Sequence, residues 1–184
     1  MANSDLKGKT VGWIGTGRMG YAMAERLLKA GADLSAWNRT KSKAEPLAEL
    51  GATIVDSPAE LADRDIIFTM VGGPADFIEV TKGENGVLSQ GEQVPGLLID
   101  CTSISEEASH EVREFATSVG TSMLDAPVSG NAKVVKAGKL SIVASGAQDA
   151  YDEALPYLEA IAVGVSYVGE GELARMVKIC HNVF

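Results

Sequence analysis

Short apolar runs alternate with amphipathic stretches along the whole chain. The runs fall at 10–15, 34–37, 65–71, 97–100, 123–128, 140–144 and 165–168. Largely apolar runs this short, mostly bounded by turn residues, predict strands of a parallel sheet covered on both faces. Between them lie helical patterns. Met19, Met23, Leu27 and Ala30 recur at i, i+4, i+8 and i+11, which puts them on one face of a helix over about 17–30.

Punctuation supports the alternation. Gly31, Gly51, Gly120 and Gly164 each stand between a helical segment and a strand, where a left-handed C-terminal cap costs glycine least. Ser57, Pro58 and Glu60 supply an N-cap, a first-turn proline and a capping-box glutamate, and Thr40 and Ser105 are candidate caps. Strand and helix in alternation predict an α/β fold of the Rossmann type, doubly wound on a mostly parallel sheet.

Composition narrows the partners. With 25 acidic and 16 basic residues, a net charge of -9 repels a phosphate backbone over most of the surface, so nucleic acid is not expected. Cys101, Cys180, His110 and His181 show no metal-ligand spacing, and no metal site is expected. No apolar run reaches membrane-spanning length and the first ten residues carry no signal core, so a cytoplasmic protein without membrane contact is expected. No internal repeat or low-complexity linker divides the chain.

The first strand runs straight into Gly15-Thr16-Gly17-Arg18-Met19-Gly20, and the amphipathic helix follows at once. A lone G-x-G-x-x-G is weak evidence, since it is also an ordinary glycine-rich turn; a strand before it and a helix after it supply the context of a dinucleotide site. Gly15 allows the tight turn, Gly17 lets a pyrophosphate approach the backbone, and Gly20 lets the helix lie close to the strand. Unpaired N–H groups of the helix start then face the anion. Arg18 is either a phosphate contact or a solvated side chain.

An NAD-specific site places a carboxylate for the ribose hydroxyls at the end of the second strand. Here the residue is Asn38, followed by Arg39, Thr40, Lys41 and Lys43. Cations at a helix start oppose its dipole, so this basic cluster is better read as a seat for a 2'-phosphate. NADP is the expected cofactor, with NAD second.

Two later segments complete the pattern: Asp125-Ala126-Pro127-Val128-Ser129-Gly130-Asn131, followed by Ala137-Gly138-Lys139-Leu140, and Gly169-Glu170-Gly171 leading to Lys178 and Asn182. Lys178 and Asn182 are i, i+4 neighbours and share a helix face. With the loop at 15–20, these segments make the sequence resemble the β-hydroxyacid dehydrogenase family, which includes 3-hydroxyisobutyrate dehydrogenase and semialdehyde reductases and is related to 6-phosphogluconate dehydrogenase.

The resemblance covers nearly the whole chain. It implies that Lys178 is the general acid/base, that Asn182 helps hold a small carboxylate substrate, and that Ser129, Gly130 and Asn131 bind its carboxylate. It also implies that Val71, Gly72 and Ser103 line the nicotinamide side. Asn131 departs from the second glycine usual in the family, and the glycines at 169 and 171 stand further from the lysine than usual. Asp125 is read as structural, and Cys180 and His181 are given no chemistry.

The expected organisation is a dinucleotide-binding domain over 1–168 and the start of an interdomain helix over 169–184. Family members continue into an all-helical domain that completes the active site and usually the dimer interface. The chain is therefore expected to be a piece of a longer, homo-oligomeric enzyme, binding cofactor but turning over poorly alone. A non-catalytic NADP-binding module and an NADP-dependent reductase of another substrate, such as an imine, are the alternatives.

Overall fold

The computed structural model describes Leu6 and residues 8–183. Six strands, β1 (Thr10–Ile14), β2 (Asp33–Trp37), β3 (Thr53–Ile54), β4 (Ile66–Thr69), β5 (Leu97–Asp100) and β6 (Ser122–Asp125), form one sheet in the order β3-β2-β1-β4-β5-β6. Every pairing in it is parallel. All six therefore end on one edge, and the reversal of strand order beside β1 opens a crevice there.

Burial on both faces follows the strand period. Trp13, Ile66, Phe68, Leu97 and Ile99 enter one apolar cluster with Met23 and Leu27 of α1 (Arg18–Lys29). Ile14, Ile67 and Leu98 enter a second cluster with Phe77 and Val80 of α2 (Pro74–Lys82) and Val112 of α3 (Glu106–Ser118). Alternate residues of the same strands thus feed opposite cores, which is why these runs read as continuously apolar. Gly31, Gly51 and Gly120 take left-handed φ of 90°, 100° and 90°. Ser105 accepts from Ala108 N, as a cap does.

Four expectations are corrected. The single sheet is two: β7 (Val128–Ser129), β8 (Ser141–Ala144) and β9 (Gly164–Tyr167) form a separate three-stranded sheet, with β7 antiparallel and β9 parallel to β8. The run at 123–128 breaks between β6 and β7, where Pro127 has no N–H to continue a ladder. The segment after β2 forms two short 3-10 turns, at Lys41–Lys43 and Glu45–Leu50, and not one continuous helix, since Pro46 has no N–H to donate back into the first of them. Gly164 opens β9 and is not a left-handed cap.

The small sheet carries α4 (Ala132–Lys136) and α5 (Gln148–Ile161), and α6 (Leu173–Val183) follows β9. An antiparallel bridge between Asp125 and Ser145 joins it to the end of β6. Among the described residues no helix is long and apolar enough to cross a membrane, and no group of His, Cys, Asp or Glu is arranged to hold a metal ion.

Candidate active site

The loop between β1 and α1 lies at the crevice. Gly15 has φ 98°, and a Cβ there would meet the Met70 carbonyl oxygen at 2.2 Å; at Gly20 it would meet the Gly15 oxygen at 1.9 Å. Both glycines are therefore demanded by the fold itself. Gly17 is different: a Cβ there would meet nothing within 4 Å. Its open space fits a guest better than a packing need. The first turn of α1 has neither a capping side chain nor an acidic residue, so its N–H groups and the positive end of the helix dipole stay available to an anion. The Trp13 indole donates to the Gly15 oxygen at 2.8 Å and pins the loop from beneath.

A cleft of about 430 Å³ opens over this loop. The structure brings eleven of the sequence-derived cofactor residues into its walls: Gly15, Gly17, Arg18, Met19, Gly20, Asn38, Arg39, Thr40, Lys43, Val71 and Gly72. Thr16 and Ser103 are not among them. Thr16 is buried, and its hydroxyl has no hydrogen-bond partner. Trp37, Met70, Asp76, Glu79 and Val80 complete the lining.

Asn38 brackets two loops. Its Oδ1 accepts from Thr16 N at 2.8 Å and its Nδ2 donates to Thr40 O at 2.9 Å. A carboxylate here would set an acceptor against the Thr40 carbonyl, so the fold itself favours the amide. The basic cluster is partly neutralised: Arg39 pairs with Asp76 at 2.9 Å and Lys41 pairs with Asp56. Lys43 makes no ion pair among the described residues. Asp76 and its pairing had no signal in the sequence, because it lies 37 residues from Arg39.

On the other side of the crevice, Val71 N donates to Thr102 Oγ1 at 3.1 Å, which ties the cleft rim to the loop carrying Ser103. Lys178, half-buried on α6, donates from Nζ to Ser103 Oγ at 2.8 Å. Burial lowers its pKa below the ordinary lysine value, and the adjacent Arg175 charge lowers it further, against Cys101 and Asp100. A lysine so placed gives up a proton more readily than one in water. The Asn182 side chain lies outside the described residues.

The proposed carboxylate-binding residues lie elsewhere on the rim. A second hollow of about 600 Å³ shares Arg18 and Met19 with the cleft and is walled by Gly130, Asn131, Ala132 and Lys133. Asn131 caps α4, with Oδ1 accepting from Lys133 N and Val134 N at 3.0 and 3.1 Å. That oxygen is thus committed to the helix. Ser129 is half-buried in β7. Among the described residues no hydrogen bond joins this group to Lys178.

Sequence reasoning missed the buried ions behind the site. Arg175 Nη2 donates to Asp100 Oδ2 and to Asp125 Oδ1, both at 2.7 Å, and Nη1 donates to Thr102 O at 3.1 Å. Asp125 also takes Arg113 Nη2 at 2.8 Å and Ser109 Oγ at 3.1 Å. The available signal was a carboxylate ending each of two otherwise apolar strands, since such a charge is rarely buried unpaired.

The 3-2-1-4-5-6 parallel sheet, the glycine loop at its switch point and an anion-ready helix start define a dinucleotide-binding domain. The family model for the NAD binding domain of 6-phosphogluconate dehydrogenase matches residues 10–169, and the chain belongs to that family. It is 34% identical over 175 residues to glyoxylate/succinic semialdehyde reductase 2 of Arabidopsis thaliana, covering 95% of this chain and 49% of that protein. The structure of Mycobacterium tuberculosis 3-hydroxyisobutyrate dehydrogenase with L-serine superposes with TM-score 0.86 at 29% identity, over 95% of this chain and 59% of the other. An imine reductase from Myxococcus stipitatus in complex with NADP+ gives TM-score 0.85 at 27% identity, over 95% and 60%. The chain spans about half the length of the first of these relatives.

Proposed function

We propose that this chain is the cofactor-binding part of an NADP-dependent oxidoreductase that interconverts a short 3-hydroxy acid and its semialdehyde, with Lys178 as the general acid/base. The observation that carries the reading is the half-buried Lys178 amine 2.8 Å from Ser103 Oγ, beyond the rim of a cleft whose Gly17 leaves room for a pyrophosphate. When bound, the nicotinamide supplies or accepts the hydride. Lys178 protonates the carbonyl oxygen in reduction and takes the hydroxyl proton in oxidation, a task helped by its lowered pKa.

Asn182, Ser129, Gly130 and Asn131 hold the small carboxylate substrate in this reading. The Asn131 contribution comes from its backbone or its amide N–H groups, because its oxygen caps α4. Preference for NADP over NAD is supported by Asn38 where NAD sites carry an acid, and by Arg39, Thr40 and Lys43 lining the cleft. A cytoplasmic site of action is supported by the unpaired Cys101 and Cys180, which suit a reducing compartment. The complete enzyme is read as a homo-oligomer.

Replacing Lys178 with alanine in the complete enzyme is expected to lower turnover by about 10²–10⁴ while NADPH binding persists. Unchanged turnover would refute the role. The imine reductase likeness at 27% identity supports a second reading, reduction of a carbon–nitrogen double bond. A panel of aldehyde and imine substrates with NADPH separates the two, since each predicts turnover of only its own class.

A further inference from the structure

Lys178 and Ser103 stand 75 residues apart in sequence, and one buried side chain ties down both. Arg175 precedes Lys178 by three residues on α6, so the two are neighbours along the helix. Its guanidinium reaches Asp100 and Asp125, which end the adjacent strands β5 and β6 in direct register. The same group donates to the carbonyl of Thr102, the residue before Ser103. Asp100 then fixes that loop a second time, because its Oδ1 accepts from Thr102 N at 3.0 Å and from Thr69 Oγ1 at 2.7 Å.

We infer that Arg175 is the positioning residue of this site: one guanidinium, held by two strand-end carboxylates, sets the distance between the Lys178 amine and the Ser103 hydroxyl. The functional meaning rests on the proposed role of Lys178, but the geometry does not. A buried ion pair contributes little net stability compared with an apolar replacement, since desolvation offsets most of the attraction. Here the cost is higher still, because Arg175 Nε is buried with no partner. What the arrangement supplies is direction: a planar fork with fixed donors, which a lysine ammonium cannot reproduce.

The charged and titratable groups facing Lys178 are Arg175 on its own helix and Asp100 and Cys101 at the end of β5. Removing the guanidinium takes away a neighbouring positive charge that holds the Lys178 pKa down, which favours the protonated amine. Ser103 favours it too, by accepting its hydrogen bond. A double-mutant cycle between these positions therefore reads the placement itself, which a purely structural arginine would leave unchanged.

The test is labelling of Lys178 in this chain by trinitrobenzenesulfonate near pH 8, followed by mass spectrometry of the peptide that contains it. In the parent, Ser103→Ala is expected to speed labelling about threefold, by removing a hydrogen bond to the ammonium. Arg175→Met is expected to slow labelling about tenfold, and in that background Ser103→Ala is expected to have no effect. Should Arg175→Met fail to fold, Arg175→Lys, which keeps the charge without the fork, is expected to abolish the Ser103 effect as well.

An equal Ser103 effect with and without Arg175, or none in the parent, overturns the proposal. Failure of both Arg175 variants to fold overturns it too, since the residue then serves the fold and not the site. Survival of turnover in Lys178→Ala would remove the catalytic reading while leaving the measured coupling intact, so the two failures are distinguishable.

Discussion

The glycine loop and the Lys178 site are held in different ways. At the β1–α1 loop, the geometry comes from backbone within one short segment: Gly15 and Gly20 pack against neighbouring carbonyls, and Trp13 binds the Gly15 oxygen. At Lys178 the geometry comes from ions on remote elements, with Arg175, Asp100, Asp125 and Arg113 buried or nearly so. A local backbone turn is indifferent to charge. A buried ionic cluster is not, because loss of one member leaves the others unpaired.

The largest expected effect sharpens that contrast. Asp100→Ala should cost about 3–5 kcal/mol in urea unfolding, by stranding part of the Arg175 guanidinium. A loss below about 1 kcal/mol would mean that the cluster is hydrated in solution.

Within the loop the glycines should divide. Gly20→Ala forces a Cβ against the Gly15 oxygen and should cost about 1–3 kcal/mol. Gly17→Ala should leave the melting temperature alone yet weaken NADPH about tenfold, or about 1.4 kcal/mol, since its added methyl enters the space meant for the pyrophosphate. Equal melting losses at both positions would erase the distinction between fold and guest.

The smallest effect concerns acid. Asp65 accepts from Thr10 N and Oγ1 at 2.7 and 3.0 Å, and the backbone hydrogen bond holds its carboxyl below the ordinary value of 3.8. A carboxyl depressed in the folded state stabilises fully above its unfolded pKa and loses that contribution as pH falls through the folded one. Asp65→Asn should therefore flatten the decline in stability below pH 3.8 and leave the melting curve near pH 7 with only the modest change expected of an exposed contact. A decline of unchanged steepness would assign acid lability to other carboxylates.

The same division explains what the sequence made legible. The parallel sheet, α1 and the glycine loop follow from periodicity and local turn chemistry, so Gly15–Gly20 could be read residue by residue. The second sheet was not readable, because a break at Pro127 and an antiparallel return through Ser141–Ala144 depend on which strand finds which edge. Asn38 was singled out by position, but its bracket between Thr16 and Thr40 needed coordinates. Arg175 looked like any helical arginine, since its partners are 50 and 75 residues away.

The most direct measurement is a fluorescence titration of this chain with NADPH and NADH, using Trp37 in the cleft wall as the reporter. A saturable change with NADPH is expected, at a Kd about tenfold below that for NADH, a difference of about 1.4 kcal/mol. Equal affinities would contradict the assignment of the basic rim, and no saturable change with either would contradict the dinucleotide site itself.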